Sequence, residues 1–323
     1  MAENSLTFKS MNNQPPTVNP LPPPEPHLTL LALARAMRPR QWTKNIVVLA
    51  AFFFALGDKH QHLSPLMFGW ALLAAILFCV TSSAVYIFND IVDRQRDWAH
   101  PVKRLRPIAS GAIPVATAWT AAFILLVIGL GGSWLVTPGF ALTIGVYVAL
   151  QIAYTLWLKH VALVDVFVIA FGFVLRAIAG GLAVHVMISS WLLICTFLMA
   201  LFLALCKRRH EKRLMEETKL FNLRPSLTDS DQRLFDQLIA IMAGAVIIAY
   251  AIYTQWPDTV AKFQTPHLSF TIPFVVFGIF RYLDLVYRQA KGDQPEYILL
   301  TDIPLIVDIL LFGACVWWII IAA

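Results

Sequence analysis

Apolar residues come in nine stretches, each followed by a short polar or charged break. They run over about 40–57, 66–88, 115–136, 139–158, 161–184, 190–206, 234–255, 269–288 and 302–322. A helix needs roughly 20 such residues to cross a bilayer, and eight of the nine come close to that length. The first is the weakest, because its apolar core, Ile46 to Leu56, is short. Breaks between 115 and 206 are so brief that tight turns must join these helices. The pattern predicts an all-α fold: a polytopic membrane helical bundle of about nine transmembrane helices.

Composition agrees. Hydrophobic residues make up 59% of the chain and charged ones only 14%, against about 25% charged in a soluble domain. Two regions depart from the pattern. Residues 1–27 are polar, and Gln14-Pro15-Pro16 and Pro22-Pro23-Pro24 preclude a helix, so a disordered cytosolic N-terminal tail is expected. That tail has no apolar h-region of a secretory signal. Leu28 to Met37 reads as an interfacial helix leading into Arg38-Pro39-Arg40, which leaves 28–323 as one transmembrane catalytic domain.

The net charge of +6 does not indicate nucleic acid in so apolar a chain. Basic residues gather at Arg35–Lys44, Arg94–Arg106, Lys207–Arg233 and Arg281–Lys291, all on one side of a nine-span chain. Only Lys59 and Lys262 fall in the opposite loops. The positive-inside rule then predicts a cytosolic N-terminus and a cytosolic polar face in a cell (inner) membrane. The cysteines, Cys79, Cys195, Cys206 and Cys315, are scattered through apolar spans without metal-ligand spacing.

The stretch most informative about chemistry runs from Ser83 to Gly111. Asp90, Asp93 and Asp97 are spaced by three and four residues, with Asn89 beside the first. On a continuous helix this spacing aligns the carboxylates along one strip. Like charges so placed repel, and hard oxygen ligands favour Mg²⁺, which bridges readily to substrate phosphates. Asn89, Asp90, Asp93 and Asp97 are therefore the candidate metal ligands; a solvated helix end with chance acids is the alternative. His100-Pro101-Val102-Lys103-Arg104-Leu105-Arg106-Pro107 follows. Lys103 and Arg106 would take phosphate charge that a metal leaves over, unless they serve only as topology signals.

The pattern Asn-Asp-x-x-Asp-x-x-x-Asp followed by His-Pro-x-Lys-x-x-Arg-Pro resembles the UbiA superfamily of intramembrane prenyltransferases, over about residues 30–323. Ordinary members carry a second aspartate-rich motif after the sixth span. Here that place reads Lys207-Arg208-Arg209-His210-Glu211-Lys212-Arg213, which suits an anionic acceptor rather than a second metal. Further segments are Arg38-Pro39-x-Gln41-Trp42-x-Lys44-Asn45, Tyr154 through Lys159 to His160, and Asp165 through Arg176 to Gly181. Late in the chain come Phe280-Arg281-Tyr282-Leu283 and Gly292-Asp293-x-Pro295-Glu296. In this order they resemble the decaprenyl-phosphate phosphoribosyltransferase branch. Asp302-Ile303-Pro304 departs from it, where a basic residue between Asp and Pro would fit.

The resemblance implies a donor, phosphoribosyl diphosphate, and an acceptor, a polyprenyl phosphate lipid. It implies polyprenyl-phosphoryl-5-phosphoribose as product, a precursor of lipid-linked arabinose for cell-wall arabinan. Asp90, Asp93, Asp97 and Lys159 are the implied catalytic set. Lys44, Asn89, Lys103, Arg106, Tyr154, Arg176, Lys207, Arg208 and Glu211 are the implied substrate-binding set, with Glu211 orienting Lys207 or the ribose. Arg176 invites a reading from the bilayer alone. A central intramembrane Arg costs about 2.5–3.5 kcal/mol on insertion scales, so it should face the interior and meet an anion, Asp165 or a substrate phosphate. An isoprenyl transfer to an aromatic acceptor remains the alternative enzyme, and a transporter is disfavoured because the charges sit at helix ends rather than mid-membrane. Oligomeric state stays open, with a homo-oligomer allowed.

Overall fold

The computed structural model of the chain describes residues 30–57, 64–100, 102–218, 231–288, 298 and 301–322. The expected tail 1–27, Lys59, Pro101, Lys291 and Gly292-Asp293-x-Pro295-Glu296 lie outside the described residues. Among the described residues there are helices and no strands.

The chain opens with α1 (Leu30–Ala36), a 3₁₀ segment (Pro39–Ile46) and α2 (Val47–Leu56). Then follow α3 (Pro65–Val92), the short α4 (Arg94–Ala99), α5 (Val115–Ser133), α6 (Pro138–Leu156) and α7 (Val164–Ala183). The second half holds α8 (Ser190–Thr218), α9 (Gln232–Gln255), α10 (Pro257–Phe263), α11 (Ile272–Arg288) and α12 (Ile303–Ala322).

Eight helices are long and apolar enough to cross a membrane. The first expected span is not one of them, for a physical reason. Its N-terminal half, Pro39-Arg40-Gln41-Trp42-Thr43-Lys44-Asn45-Ile46, is polar and wound as a 3₁₀ helix. That helix rises about 2.0 Å per residue, more than the α-helix. Arg38 meets Asp90 at one end of α3, and the ring of Phe52 lies 5.3 Å from that of Phe68 near the other. The 22 residues separating those two α3 positions span about 33 Å at 1.5 Å each. The segment from Arg38 to Phe52 therefore runs beside α3 for most of that length, its end side chains reaching the rest, without being one long α-helix.

The sixth expected span also differs, because α8 does not stop at Cys206. It runs on through the basic stretch to Thr218. Ion pairs at helical spacing support this extension: Arg208–Glu211 at 2.7 Å, Lys212–Glu216 at 3.6 Å and Arg213–Glu217 at 2.7 Å.

One helix organises the bundle. On one side α7 packs with α2, α3 and α6 around Val48, Phe78, Phe140, Ile144 and Tyr147. On the other it packs against α8, which with α9 and α11 surrounds Phe202, Ile239, Tyr282 and Leu285. Small residues permit this in lipid, where close van der Waals packing replaces the hydrophobic drive between helices. A Cβ on Gly180 of α7 would lie 2.0 Å from the Val48 carbonyl oxygen, and one on Gly129 of α5 would lie 2.2 Å from the Thr81 hydroxyl of α3. Backbone touches neighbour at both places, so neither position takes a side chain.

The result is a bundle with unlike ends. The C-termini of α3, α6, α8 and α11 and the N-termini of α7, α9 and α12 all bring charged residues to one end. Among the described residues the far end carries Asp258, Lys262, His185 and His267.

Candidate active site

Asp90 lies in the last full turn of α3 and is 2% exposed. The expected single strip of carboxylates does not form. α3 ends at Val92, Asp93 is the junction residue with φ −89° and ψ 4°, and a new helix begins at Arg94. The break sets Asp93 apart: it pairs with Lys159, while Asp90 and Asp97 share Arg106.

Arg106 NH1 reaches Asp97 Oδ2 at 2.6 Å and Asp90 Oδ1 at 3.2 Å, bridging the two helices. Arg38 makes a close ion pair with the same Asp90 oxygen, and its guanidinium lies 5.3 Å from the centre of the Tyr86 ring. Lys159 Nζ donates to Asp93 Oδ1 at 2.6 Å. The Thr155 hydroxyl donates to Asn89 Oδ1 at 3.2 Å. Three carboxylates thus face three protein cations, and the repulsion expected from their spacing is relieved without any other group.

His100 closes α4, and its Nδ1 accepts the backbone N–H groups of Val102 at 3.1 Å and Lys103 at 3.3 Å. Burial, then the nearby Lys103 charge, pushes the imidazole below its ordinary pKa. A neutral ring is what two such acceptances at Nδ1 require.

Could the acids hold a metal? Among the described residues no three His, Cys, Asp or Glu side chains converge into an enclosing site. Yet the donor set fits Mg²⁺. Asp90 Oδ2, Asp93 Oδ2 and Asp97 Oδ1 accept no hydrogen bond from the described residues. Mg²⁺ keeps several waters and uses one or two carboxylates plus phosphate oxygens, rather than an all-protein cage.

A second charged cluster lies where α6, α7 and α8 meet. Arg208 is 3% exposed. Its Nε donates to Asp165 Oδ2 at 2.6 Å, its NH1 to Glu211 Oε2 at 2.7 Å, and its NH2 lies 3.5 Å from the Tyr154 hydroxyl. Glu211, expected to orient Lys207 or the ribose, pairs with Arg208, three residues before it on the same helix. Among the described residues Lys207 is half-buried and makes no ion pair.

Two further expectations change. Arg176 was expected to meet an anion, with Asp165 a candidate. It meets Asn45, Tyr147 and the Gly172 carbonyl, all neutral, while Asp165 is held by Arg208. Eleven residues of helix separate Asp165 and Arg176 by about 16 Å, beyond the reach of a direct pair. A Trp near a span end reads most simply as an interface anchor, but Trp42 donates from Nε1 to Ser83 Oγ at 3.0 Å and ties the 3₁₀ segment to α3.

Lys44 lies half-buried on the 3₁₀ segment, and Lys103 opens the turn after α4. The site residue that the sequence pattern missed is Arg38. Its signal was the Arg38-Pro39 pair at the head of the first span, but its target lies 52 residues away. Asp302, the departure noted above, accepts both Arg281 Nε at 3.1 Å and Arg281 NH2 at 2.9 Å, and it caps α12 at the Leu305 N–H.

Known proteins resemble this chain in sequence and in fold. The chain is 36% identical over 281 residues to the decaprenyl-phosphate phosphoribosyltransferase of Mycobacterium tuberculosis (strain CDC 1551 / Oshkosh), covering 86% of this chain and 91% of that protein. It is 35% identical over 290 residues to the protein of the same name from Corynebacterium glutamicum, covering 88% and 85%. In fold it is similar to a UbiA homologue from Archaeoglobus fulgidus bound to GPP and Mg²⁺, with a TM-score of 0.67, 17% identity and 90% of this chain covered. Residues 46–298 match the sequence profile of the UbiA prenyltransferase family, and the chain belongs to that family.

Proposed function

We propose that this enzyme transfers a 5-phosphoribosyl group from phosphoribosyl diphosphate to a polyprenyl phosphate, decaprenyl in the relatives' name, giving polyprenyl-phosphoryl-5-phosphoribose and diphosphate. The observation that carries this reading is the cluster at the end of α8. Ordinary superfamily members are expected to place a second acidic metal site there. Here the nearby acids, Asp165 and Glu211, are both engaged by Arg208, and Lys207, the residue before it on α8, makes no ion pair among the described residues. Such a place suits an anionic acceptor headgroup. The names of relatives about 35% identical over most of the chain support the same donor and acceptor.

The bond changes are simple. An acceptor phosphate oxygen forms a bond to ribose C1, the bond from C1 to the diphosphate oxygen breaks, and its electron pair leaves with diphosphate. A phosphate monoester is already nucleophilic at neutral pH, so no strong general base is needed. Positioning and charge neutralisation dominate. Asp90, Asp93 and Asp97, with Asn89, would hold Mg²⁺, and the ion when bound stabilises charge developing on the leaving group. Arg38, Arg106 and Lys159 neutralise the acids in this structure and lie where donor phosphates would arrive. Lys103 and Lys44 add charge to the same region. Lys207 takes the acceptor phosphate, while Arg208, steadied by Tyr154 and Glu211, frames it. The positive-inside rule puts this end in the cytosol, where a sugar phosphate is found, with the lipid tail among the apolar helices.

The experiment is a transfer assay on the purified chain in detergent with ribose-labelled phosphoribosyl diphosphate, Mg²⁺ and polyprenyl phosphate. Label should pass into the organic phase only when the lipid phosphate is present. Label that stays aqueous under all conditions overturns the proposal.

A further inference from the structure

Arg176 is a cation in the middle of α7, 4% exposed, and every nitrogen of its guanidinium is occupied. Nε donates to Asn45 Oδ1 at 2.8 Å, NH1 to the Gly172 carbonyl at 2.8 Å and NH2 to the Tyr147 hydroxyl at 3.0 Å. The rings of Phe78, Tyr147 and Phe173 surround it at 5.2, 4.9 and 5.3 Å from centroid to guanidinium carbon. Aromatic faces and neutral oxygens thus supply the electron density that a carboxylate would otherwise give. Three of its five N–H donors are in use, and its burial keeps a phosphate from the others. Its chemistry is directed at Asn45.

Arginine is only a donor, so the amide of Asn45 must turn its oxygen toward Arg176. That turns the amide nitrogen toward α3, where it donates to Ser82 Oγ and to Cys79 Sγ, both at 3.2 Å. Asn45 lies in the eight-residue 3₁₀ segment. Such helices rarely exceed three or four residues, because their hydrogen bonds are poorly aligned. Outside ties must hold this one. Trp42 supplies one through Ser83, and Ser83 Oγ in turn donates to the Met37 carbonyl at 3.0 Å. Asn45 supplies the other. Three residues further along, Val48 packs directly on Gly180, one helical turn beyond Arg176 on α7. At the head of the segment Arg38 adopts φ 55° and ψ 60°, a left-handed conformation uncommon outside glycine, and meets Asp90.

We propose that Arg176 is a positioning residue: through Asn45 it fixes the register of the 3₁₀ segment on α3 and so keeps Arg38 on Asp90. The proposal rests on the reading of Asp90 as part of the donor-diphosphate site. It gives an intramembrane charge a task at the site without contact to substrate. Arg176 enters the donor side of the reaction, not the acceptor side.

The test compares Arg176→Gln, Asn45→Ala and the double variant as full-length protein in detergent, with Arg176→Lys as a conservative control. Hydrogen–deuterium exchange needs no activity. Each single variant should raise amide exchange across residues 38–46 by about tenfold or more, the loss of one charge-assisted hydrogen bond, while α9 and α11 keep their protection. In transfer assays each should raise KM for phosphoribosyl diphosphate by about tenfold, with the double no worse than the poorer single, because both remove one link. Arg176→Lys should recover part of the loss. Unchanged exchange over 38–46, multiplying effects in the double variant, or a rise confined to the acceptor KM would each overturn the proposal. If Arg176→Gln fails to fold, Asn45→Ala carries both readouts alone. A wild-type chain inactive with phosphoribosyl diphosphate would sink the functional reading, while the exchange experiment would still decide this one.

Discussion

Lys159 donates to Asp93 across 66 residues of sequence, with 2.6 Å between Nζ and Oδ1. The pair joins the turn after α6 to the junction of α3 and α4, and it separates Asp93 from the Arg106 bridge that holds Asp90 and Asp97 together. The aspartate motif is therefore two sites of charge balance rather than one strip. Under the proposed function, both would be rearranged when a polyphosphate and its cation arrive.

Asp93 is the sharpest probe of that rearrangement. Asp93→Asn keeps the volume, removes one charge and leaves Lys159 without its counter-ion. Transfer activity should fall close to zero while membrane insertion, followed by yield and gel filtration, stays normal. EDTA should silence the wild type, and added Mg²⁺ should restore it. Full activity in EDTA would exclude a metal from the mechanism.

The Arg208 network should matter for stability as well. Asp165 and Arg208 are each 3% exposed at the side chain, and removing one member of a buried pair costs about 3–5 kcal/mol because the other is left uncompensated. Asp165→Asn should lower the thermal midpoint in detergent clearly. Adding Arg208→Gln should recover part of the loss, since the buried guanidinium is then gone and the remaining carboxylate, Glu211, is the more exposed partner. A double variant as unstable as the sum of the singles would show the pair to be incidental.

Lys207 separates the two enzyme readings. Lys207→Gln removes one charge-assisted hydrogen bond to the acceptor, worth about 1.5–3 kcal/mol, so the acceptor kcat/KM should drop roughly ten- to a hundredfold at 1.36 kcal/mol per decade. Lys207→Asp should be worse, because it sets an anion beside an anionic headgroup. Were the chain an isoprenyl transferase, an acid here would supply a metal ligand and be tolerated. Retained activity in Lys207→Asp would make the basic run of α8 a topology signal only.

Topology is testable in intact cells. Cysteine labels placed at Arg96 should be protected from membrane-impermeant reagents, and labels at Lys262 should react. The reverse pattern would put the site on the wrong side for a cytosolic sugar phosphate.

Much of this was legible in the chain. The apolar runs gave α3, α5, α6, α7, α9, α11 and α12 to within a few residues, because lipid leaves the backbone no alternative to helix. Asp90, Asp93, Asp97 and Arg106 stood out by their spacing after an apolar run, and Lys159 came from the family resemblance. Pairing at long range was not legible. Arg38–Asp90, Arg208–Asp165 and Arg176–Asn45 join residues 52, 43 and 131 apart, and no local pattern encodes such partners. The helix break at Asp93 was hidden too, since nothing in Ile91-Val92-Asp93-Arg94 forbids a continuous helix. The first span looked weak because Gln41, Trp42, Lys44 and Asn45 are polar, yet Trp42 and Asn45 have their partners in Ser83, Ser82 and Cys79 of α3.

The most direct measurement is mass spectrometry of the lipid product when the purified protein is offered both substrate pairs side by side with Mg²⁺. One pair is phosphoribosyl diphosphate with a polyprenyl phosphate, and the other is an isoprenyl diphosphate with an aromatic acid. A polyprenyl-phosphoryl-5-phosphoribose as the sole product is the expected result; a prenylated aromatic acid, with no phosphoribosylated lipid, would contradict it.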